Sequence, residues 1–417
     1  MNIFRDIYRS IFRGESVSTD KGKAELIFHS LWLHIHPVKV VKEHLKVRHT
    51  FYLGFITFFL FIILAGTGVA LMFYYHPYPD RAYQDMKDLQ FVVFMGPFLR
   101  NLHRWAAHAM VFVVFLHMIR VFYTASYKGP RKFNWVVGVV LLLLTLGLSF
   151  TGYLLPWDQL AYWAITVGTN IASYAPLIGN KIKILLLGGH TIGASALLRF
   201  YVLHVLVLPG AMVLLIMVHF WRLRKDGGLS RPVWKLRRDA TSVAAEVVPA
   251  STDKTYGLME VVTGKPLFET VAPFEENELA FSYPFAFFRE GIAFLFTSAF
   301  IMALSLFFNA PLEELANPAK TPNPAKAPWY FLGLQELVSH SAFIGGVLVP
   351  TAMVLCLLAI PYLDRNPSRL PQKRRWAIAV FSAFTLANVV LILIGYFCRG
   401  EGWAFVWPWA HHLAGAH

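Results

Sequence analysis

Seven runs of about twenty apolar residues leave this chain little choice of architecture. They fall near 51–75, 103–124, 134–155, 200–222, 286–308, 341–363 and 376–397. Each is long enough to cross a hydrocarbon layer about 30 Å thick. In lipid every backbone N–H and C=O must be satisfied within the segment, so such runs fold as helices. The expected fold is all-α and integral to a membrane: a four-helix bundle followed by three further transmembrane helices. Composition agrees, because charged residues make up only 15% of the chain, less than soluble domains carry. A shorter apolar stretch near 160–178 contains Pro176 and is followed by Gly179. It reads as interfacial or re-entrant.

The net charge of +14 raises the question of a nucleic-acid partner, and its distribution argues against one. Basic residues crowd the first 48 positions, then Lys128, Arg131 and Lys132, then Arg222 to Arg238, then Arg365 to Arg375. With seven spans these regions share one side. The opposite loops hold fewer, among them Arg81, Lys87, Lys181, Lys183, Lys320 and Lys326. By the positive-inside rule the N-terminus is cytoplasmic and the C-terminus lies outside, with a bacterial inner membrane the best fit. Residues 1–48 read as a cytoplasmic amphipathic region with a surface helix and no cleavable signal. Cys356 and Cys398 have no metal or redox spacing and read as inert thiols.

Two of the apolar segments carry histidines at nearly matched intervals. His103 and His117 are 14 residues apart, and His204 and His219 are 15 apart. Both intervals are close to four helical turns, so each pair shares a face and spans about 21–22 Å of axis. Packed together, the two helices would form two stacked bis-histidine sites, His103 with His204 and His117 with His219. Neutral imidazole suits haem iron, and two axial imidazoles leave no open position. The constellation therefore points to two non-covalent b-type haems that pass electrons. Glycines repeat the interval: Gly54 and Gly68 in the first span, Gly138 and Gly152 in the third. Lacking Cβ, they would let a flat ligand approach the backbone. Arg104, Arg120 and Arg199 lie near span ends, where they would pair with haem propionates or act as snorkelling anchors. His108 lies about 140° around the helix from His103 and reads as a hydrogen-bonded packing residue or part of a proton path.

On these residues the chain resembles cytochrome b of the quinol–cytochrome c oxidoreductases, the bc and b-f complexes. The matching segments are His103–Arg104–Trp105, Leu116–His117, Arg199–Phe200–Tyr201 before His204, and Met217 to Phe220. The run TGYLLPWDQ from Thr151 to Gln159, followed by Tyr162–Trp163, is similar to the family's segment at the outer quinol site. The 15-residue interval and the three later spans resemble the chloroplast-type form, with cytochrome b and its small fourth subunit fused. The resemblance implies quinol oxidation at an outer pocket, quinone reduction near the cytoplasmic face, and proton translocation. It also implies a Rieske-type iron–sulfur protein or other acceptor, a c-type cytochrome subunit, the membrane quinone pool and a dimeric complex as partners.

Two departures from the family pattern matter. The stretch Thr50 to Gly54 lacks the cysteine that holds a third haem in chloroplast-type relatives, so no covalent haem is expected. The family's Pro-Glu-Trp-Tyr motif reads Ala327-Pro328-Trp329-Tyr330 here, so the proton-accepting glutamate is missing. Candidate catalytic residues are therefore Tyr153, Trp329 and Tyr330 with a substitute acid. That acid is Glu336 or Asp158, with a solvated helix-start charge as the alternative for Glu336. The organisation reads as 49–223 for the two-haem core, 224–285 for a cytoplasmic linker, 286–400 for a three-helix fourth-subunit-like part and 401–417 for a Trp-rich tail. Two alternatives remain: a two-haem membrane anchor of a dehydrogenase or hydrogenase, and a proton-coupled transporter without haem.

Overall fold

The computed structural model describes residues 19, 20, 22, 37–226, 228–230 and 276–409. The expected N-terminal surface helix, most of the linker and residues 410–417 lie outside the described residues. Among the described residues, seven helices are long and apolar enough to cross a membrane. They are α1 (Leu53–Met72), α3 (Gly96–Tyr123), α4 (Lys132–Tyr153), α7 (Ala194–Lys225), α8 (Ser282–Phe307), α10 (Ile344–Leu363) and α11 (Arg375–Phe397). Shorter helices sit between them: α2 (Ala82–Phe91), α5 (Gln159–Ser173), α6 (Gly179–Leu187) and α9 (Trp329–His340). The apolar stretch near 160–178 thus becomes α5, whose start is capped by Asp158 accepting the Ala161 N–H at 2.9 Å.

Helix α3 packs on α1, and α4 on α7; α8 covers α1 and α3, α10 lies on α4, and α9 lies on α11. A dry core of Leu60, Ala106, Met110, Val114, Leu142, Met212 and Ile301 ties five of these helices together. In every helix of the first bundle these residues fall between the two histidine levels. Close packing there excludes water from the middle of the bundle.

Two transmembrane helices contain a widened turn. In α7, residues Leu203–Val207 form a π-turn in which Leu208 N–H bonds the Leu203 carbonyl; in α10, Ile344–Leu348 do the same with Val349. Proline follows each at the same offset, Pro209 and Pro350. A proline ring has no N–H to give and crowds the carbonyl four residues back. Lengthening the turn by one residue relieves that crowding and is a recognised feature of functional helices.

Besides the packing of α8 on α1 and α3, two contacts at the basic loops join the halves of the chain. Strand β1 (Lys39–Val41) pairs antiparallel with β2 (Leu279–Phe281), in the register Lys39 to Phe281 and Val41 to Leu279. This strand pair falls at the end of the segment expected to be only a linker. A second, buried polar joint draws residues from both halves. Asp364 accepts from Tyr127 Oη at 2.5 Å and pairs with Lys128 at 3.0 Å and Arg374 at 3.2 Å. Burial opposes ionisation of Asp364, but hydrogen bonds from Tyr127 and Lys128 outweigh it and hold its carboxyl below the usual range. Because the folded-state value is lowered, the joint's contribution is present above the ordinary carboxylate range and is lost as pH falls through it.

Asp364→Asn would leave Lys128 and Arg374 buried without a counter-charge, at a cost of about 3 kcal/mol. The expected outcome is a lower thermal midpoint for the purified protein in detergent at neutral pH, with the difference from the unmodified protein shrinking below the usual carboxylate range.

Candidate functional site

The fold brings the four spaced histidines together as two facing pairs. The rings of His103 (α3) and His204 (α7) lie 6.2 Å apart between centroids with planes at 75°. His117 and His219 lie 6.5 Å apart at 74°. A metal–imidazole nitrogen bond is about 2 Å, and the nitrogen lies about 1 Å from its ring centre, so two imidazoles on one metal stand about 6 Å apart. Both pairs match that spacing.

Threonines set the tautomer at the first level. Thr67 Oγ1 donates to the Ile63 carbonyl at 2.7 Å and lies 2.9 Å from His103 Nδ1. Thr151 Oγ1 donates to the Gly147 carbonyl at 2.9 Å and lies 3.1 Å from His204 Nδ1. With their protons committed to the backbone, both hydroxyls accept from Nδ1–H, which leaves the Nε2 lone pair free to bind a metal. At the second level no threonine takes this place among the described residues. His219 Nδ1 is buried with the Asn134 carbonyl beside it, outside ordinary hydrogen-bond geometry.

Each of the repeated glycines faces one of these rings. A Cβ at Gly54 would stand 3.2 Å from His117 Cε1, at Gly68 3.3 Å from His103 Cε1, at Gly138 3.7 Å from His219 Cε1, and at Gly152 2.5 Å from His204 Cε1. The notches therefore seat imidazole edges. Both glycine intervals are 14 residues, whereas the histidines of α7 are 15 apart. The π-turn containing His204 absorbs the extra residue, which the interval alone could not reveal.

A cavity of about 370 Å³ opens beside the first pair. Its walls include Gly68, His103, Arg104, Gly152 and His204, and also Tyr153, Asp158 and Tyr330. Arg104 is thus brought to the histidines. Arg120 lies near the second pair, where it holds the His49 carbonyl at 2.8 Å. Arg199 is directed elsewhere: it bonds the Leu185 carbonyl and lines a separate open groove with Lys181 and Gly188. Arg100, not singled out in the sequence, lines the cavity and holds the carbonyls of Ala310 and Pro311.

The two candidate acids have different surroundings. Asp158 is buried in the cavity wall, and burial raises its carboxyl above the usual range against hydrogen bonds from the Ala161 and Glu313 N–H groups. Glu336 is also buried, only 2% exposed, which removes the solvated-charge reading. The Arg399 guanidinium grips both its oxygens, and Trp403 Nε1–H adds a bond at 3.0 Å. That grip by Arg399 holds Glu336 below the usual carboxylate range. Tyr330 lines the cavity, with its phenol pushed up to about 12 by burial. Trp329 donates its indole N–H to His108 Nδ1 at 3.1 Å.

The family profile "Cytochrome b/b6/petB" matches residues 38–227, and "Cytochrome b(C-terminal)/b6/petD" matches 315–412. Cytochrome b6 of Heliomicrobium gestii is 42% identical over 196 residues, covering 46% of this chain and 92% of that protein. The chain belongs to the cytochrome b/b6 family. Cytochrome b6 of Heliobacterium modesticaldum is 45% identical over 193 residues, covering 45% of this chain and 91% of the relative. A solved structure titled "Hyperthermophilic respiratory Complex III" shares the fold, with a TM-score of 0.70 and 23% identity over 95% of this chain and 89% of the other. This chain is therefore a membrane cytochrome b subunit of the bc type, with a fourth-subunit-like part joined to it, and the family binds b-type haem.

The unequal glycine clearances make a graded prediction for this cytochrome b. Gly152→Ala places a methyl 2.5 Å from His204 and is expected to lower the content of reducible b-haem. Gly138→Ala meets only ordinary contact at 3.7 Å and is expected to leave it near the unmodified level. The reduced α-band per milligram of purified protein checks both.

Proposed function

We propose that this chain is the two-haem, quinone-handling subunit of a quinol-oxidising bc-type complex, and that His103 with His204 and His117 with His219 are its iron ligands. The observation that carries this is the pair of facing imidazoles, each at metal-bridging separation, stacked about 21 Å apart along the helices. Haem held at each level would supply one-electron transfer with no open coordination position. Gly54, Gly68, Gly138 and Gly152 make room for the ligand rings, Thr67 and Thr151 fix the tautomer of the first pair, and Arg104 and Arg120 are placed for propionates.

In this reading the part of the cavity walled by His103, His204, Gly68 and Gly152 takes the haem, and quinol is bound and oxidised in the part walled by His108, Tyr153, Asp158 and Tyr330, on the outer side opposite the basic loops. Quinone is reduced near the second pair on the cytoplasmic side, and the proton traffic at the two ends makes the cycle charge-separating. Tyr153 and Tyr330 line the cavity, and Trp329 acts on it through its hydrogen bond to His108. Asp158 takes the quinol proton in place of the missing motif glutamate, because its raised carboxyl lies in the wall and suits a general base. Glu336, already saturated by Arg399 and Trp403, positions α9. An iron–sulfur protein of the Rieske type and a c-type cytochrome subunit would take electrons onward from a dimeric complex.

A redox-titrated optical spectrum with pyridine haemochrome quantification tests the core of this proposal. Two acid-extractable b-haems per chain are expected; a purified, reduced sample without the b-type α-band would overturn it. Asp158→Asn keeps the cap on α5, since asparagine caps as well as aspartate, but removes the base. Quinol oxidation by the assembled complex should fall roughly 10²-fold or more, while Glu336→Gln should leave the pH profile of the rate in place. Unchanged oxidation in the Asp158 variant would reject its role.

A further inference from the structure

A half-buried histidine that this reading leaves unused is His108. It sits on α3 in the wall of the same cavity as Arg104, Ser149, Tyr153, Asp158 and Tyr330. Trp329, from the other half of the chain, donates its indole N–H to His108 Nδ1 at 3.1 Å. The Tyr330 ring stands 5.6 Å away on one side and the Trp105 ring 5.6 Å away on the other.

An indole nitrogen can only donate, so Nδ1 of His108 must be the unprotonated nitrogen. A neutral ring carries one N–H, which therefore lies on Nε2; a doubly protonated ring would have no acceptor for Trp329. Nε2 has no hydrogen-bond partner among the described residues, and it is not among the buried polar atoms sealed without one. His108 thus presents a fixed donor, and no lone pair, at its free end. A hydrogen-bond donor on a residue that lines a largely apolar cavity with Tyr153 and Tyr330 fits an oxygen acceptor on a flat ring.

We propose that His108 Nε2–H donates a hydrogen bond to an oxygen of the quinone or quinol bound in this cavity, and that Trp329 holds the ring in the donating tautomer. This rests on the quinone-handling reading above and divides the labour there: Asp158 receives the proton, and His108 binds and orients the ring oxygen. Pro328 stands where the family motif has its glutamate, so Trp329 and His108 together present a donor beside a position that has lost its acceptor.

The test uses the haem-loaded protein purified in detergent and menadione, carrying ¹³C at its carbonyls, as the quinone probe. Infrared difference spectra read the carbonyl stretch, and equilibrium titration reads affinity. In the unmodified protein one bound carbonyl band should lie below its free position. His108→Leu should return that band toward the free value and weaken binding roughly five- to tenfold. His108→Gln, which keeps an N–H donor, should retain part of both effects, and Trp329→Phe should broaden the band by freeing the tautomer. In unmodified protein with ¹⁵N-ring-labelled histidine, an imidazole N–H band should shift on adding menadione, whatever the stability of the variants. An unshifted imidazole band, or menadione binding to His108→Leu with the same band and affinity, would overturn the inference while leaving the quinone site standing. Failure of the unmodified, haem-loaded protein to bind menadione saturably would instead reject the quinone reading, and this inference with it.

Discussion

Everything in the first bundle follows from facing imidazoles held in a medium that offers them no water. A histidine in lipid is costly unless its nitrogens find partners. Here Nδ1 of His103 and His204 is tied to threonines whose own protons are already spent on the backbone. The remaining nitrogens have a metal-sized gap between them. Close approach of α1 to α3 and of α4 to α7 is then set by glycines at the four points where those rings must fit. Ligand, tautomer and helix spacing are three aspects of one arrangement.

Much of this was legible in the sequence. The seven spans, the pairing of the four histidines and the correspondence of glycines with histidines all follow from apolar length and from intervals near four turns. That each notch faces an imidazole edge was not legible, because an interval shows alignment but not which side chain lies opposite. Thr67 and Thr151 were available to be found, since each directly precedes a notch glycine. The signal is weak, because threonine in a membrane helix commonly bonds only its own turn. The one-residue excess in α7 was visible as a number, but its absorption by a π-turn depends on the local crowding at Pro209.

The polar sites were harder to read, because their partners are remote in sequence. Glu336 is neutralised by Arg399 and Trp403, more than sixty residues away, and no local pattern announces that. Asp158 is both a helix cap and a cavity residue; the sequence shows its place before an apolar helix but not the burial that raises its carboxyl. Arg199 matched a family segment, yet the chain turns it onto a carbonyl of α6. Charges near span ends are placed by loop geometry, which spacing does not encode.

The short ladder between residues 39–41 and 279–281, together with the buried joint of Tyr127, Lys128, Asp364 and Arg374, fastens the front and back of the molecule independently of the peptide that connects them. A scission there would sever no contact in either fastening, and the same assembly would be reachable from two separately made polypeptides.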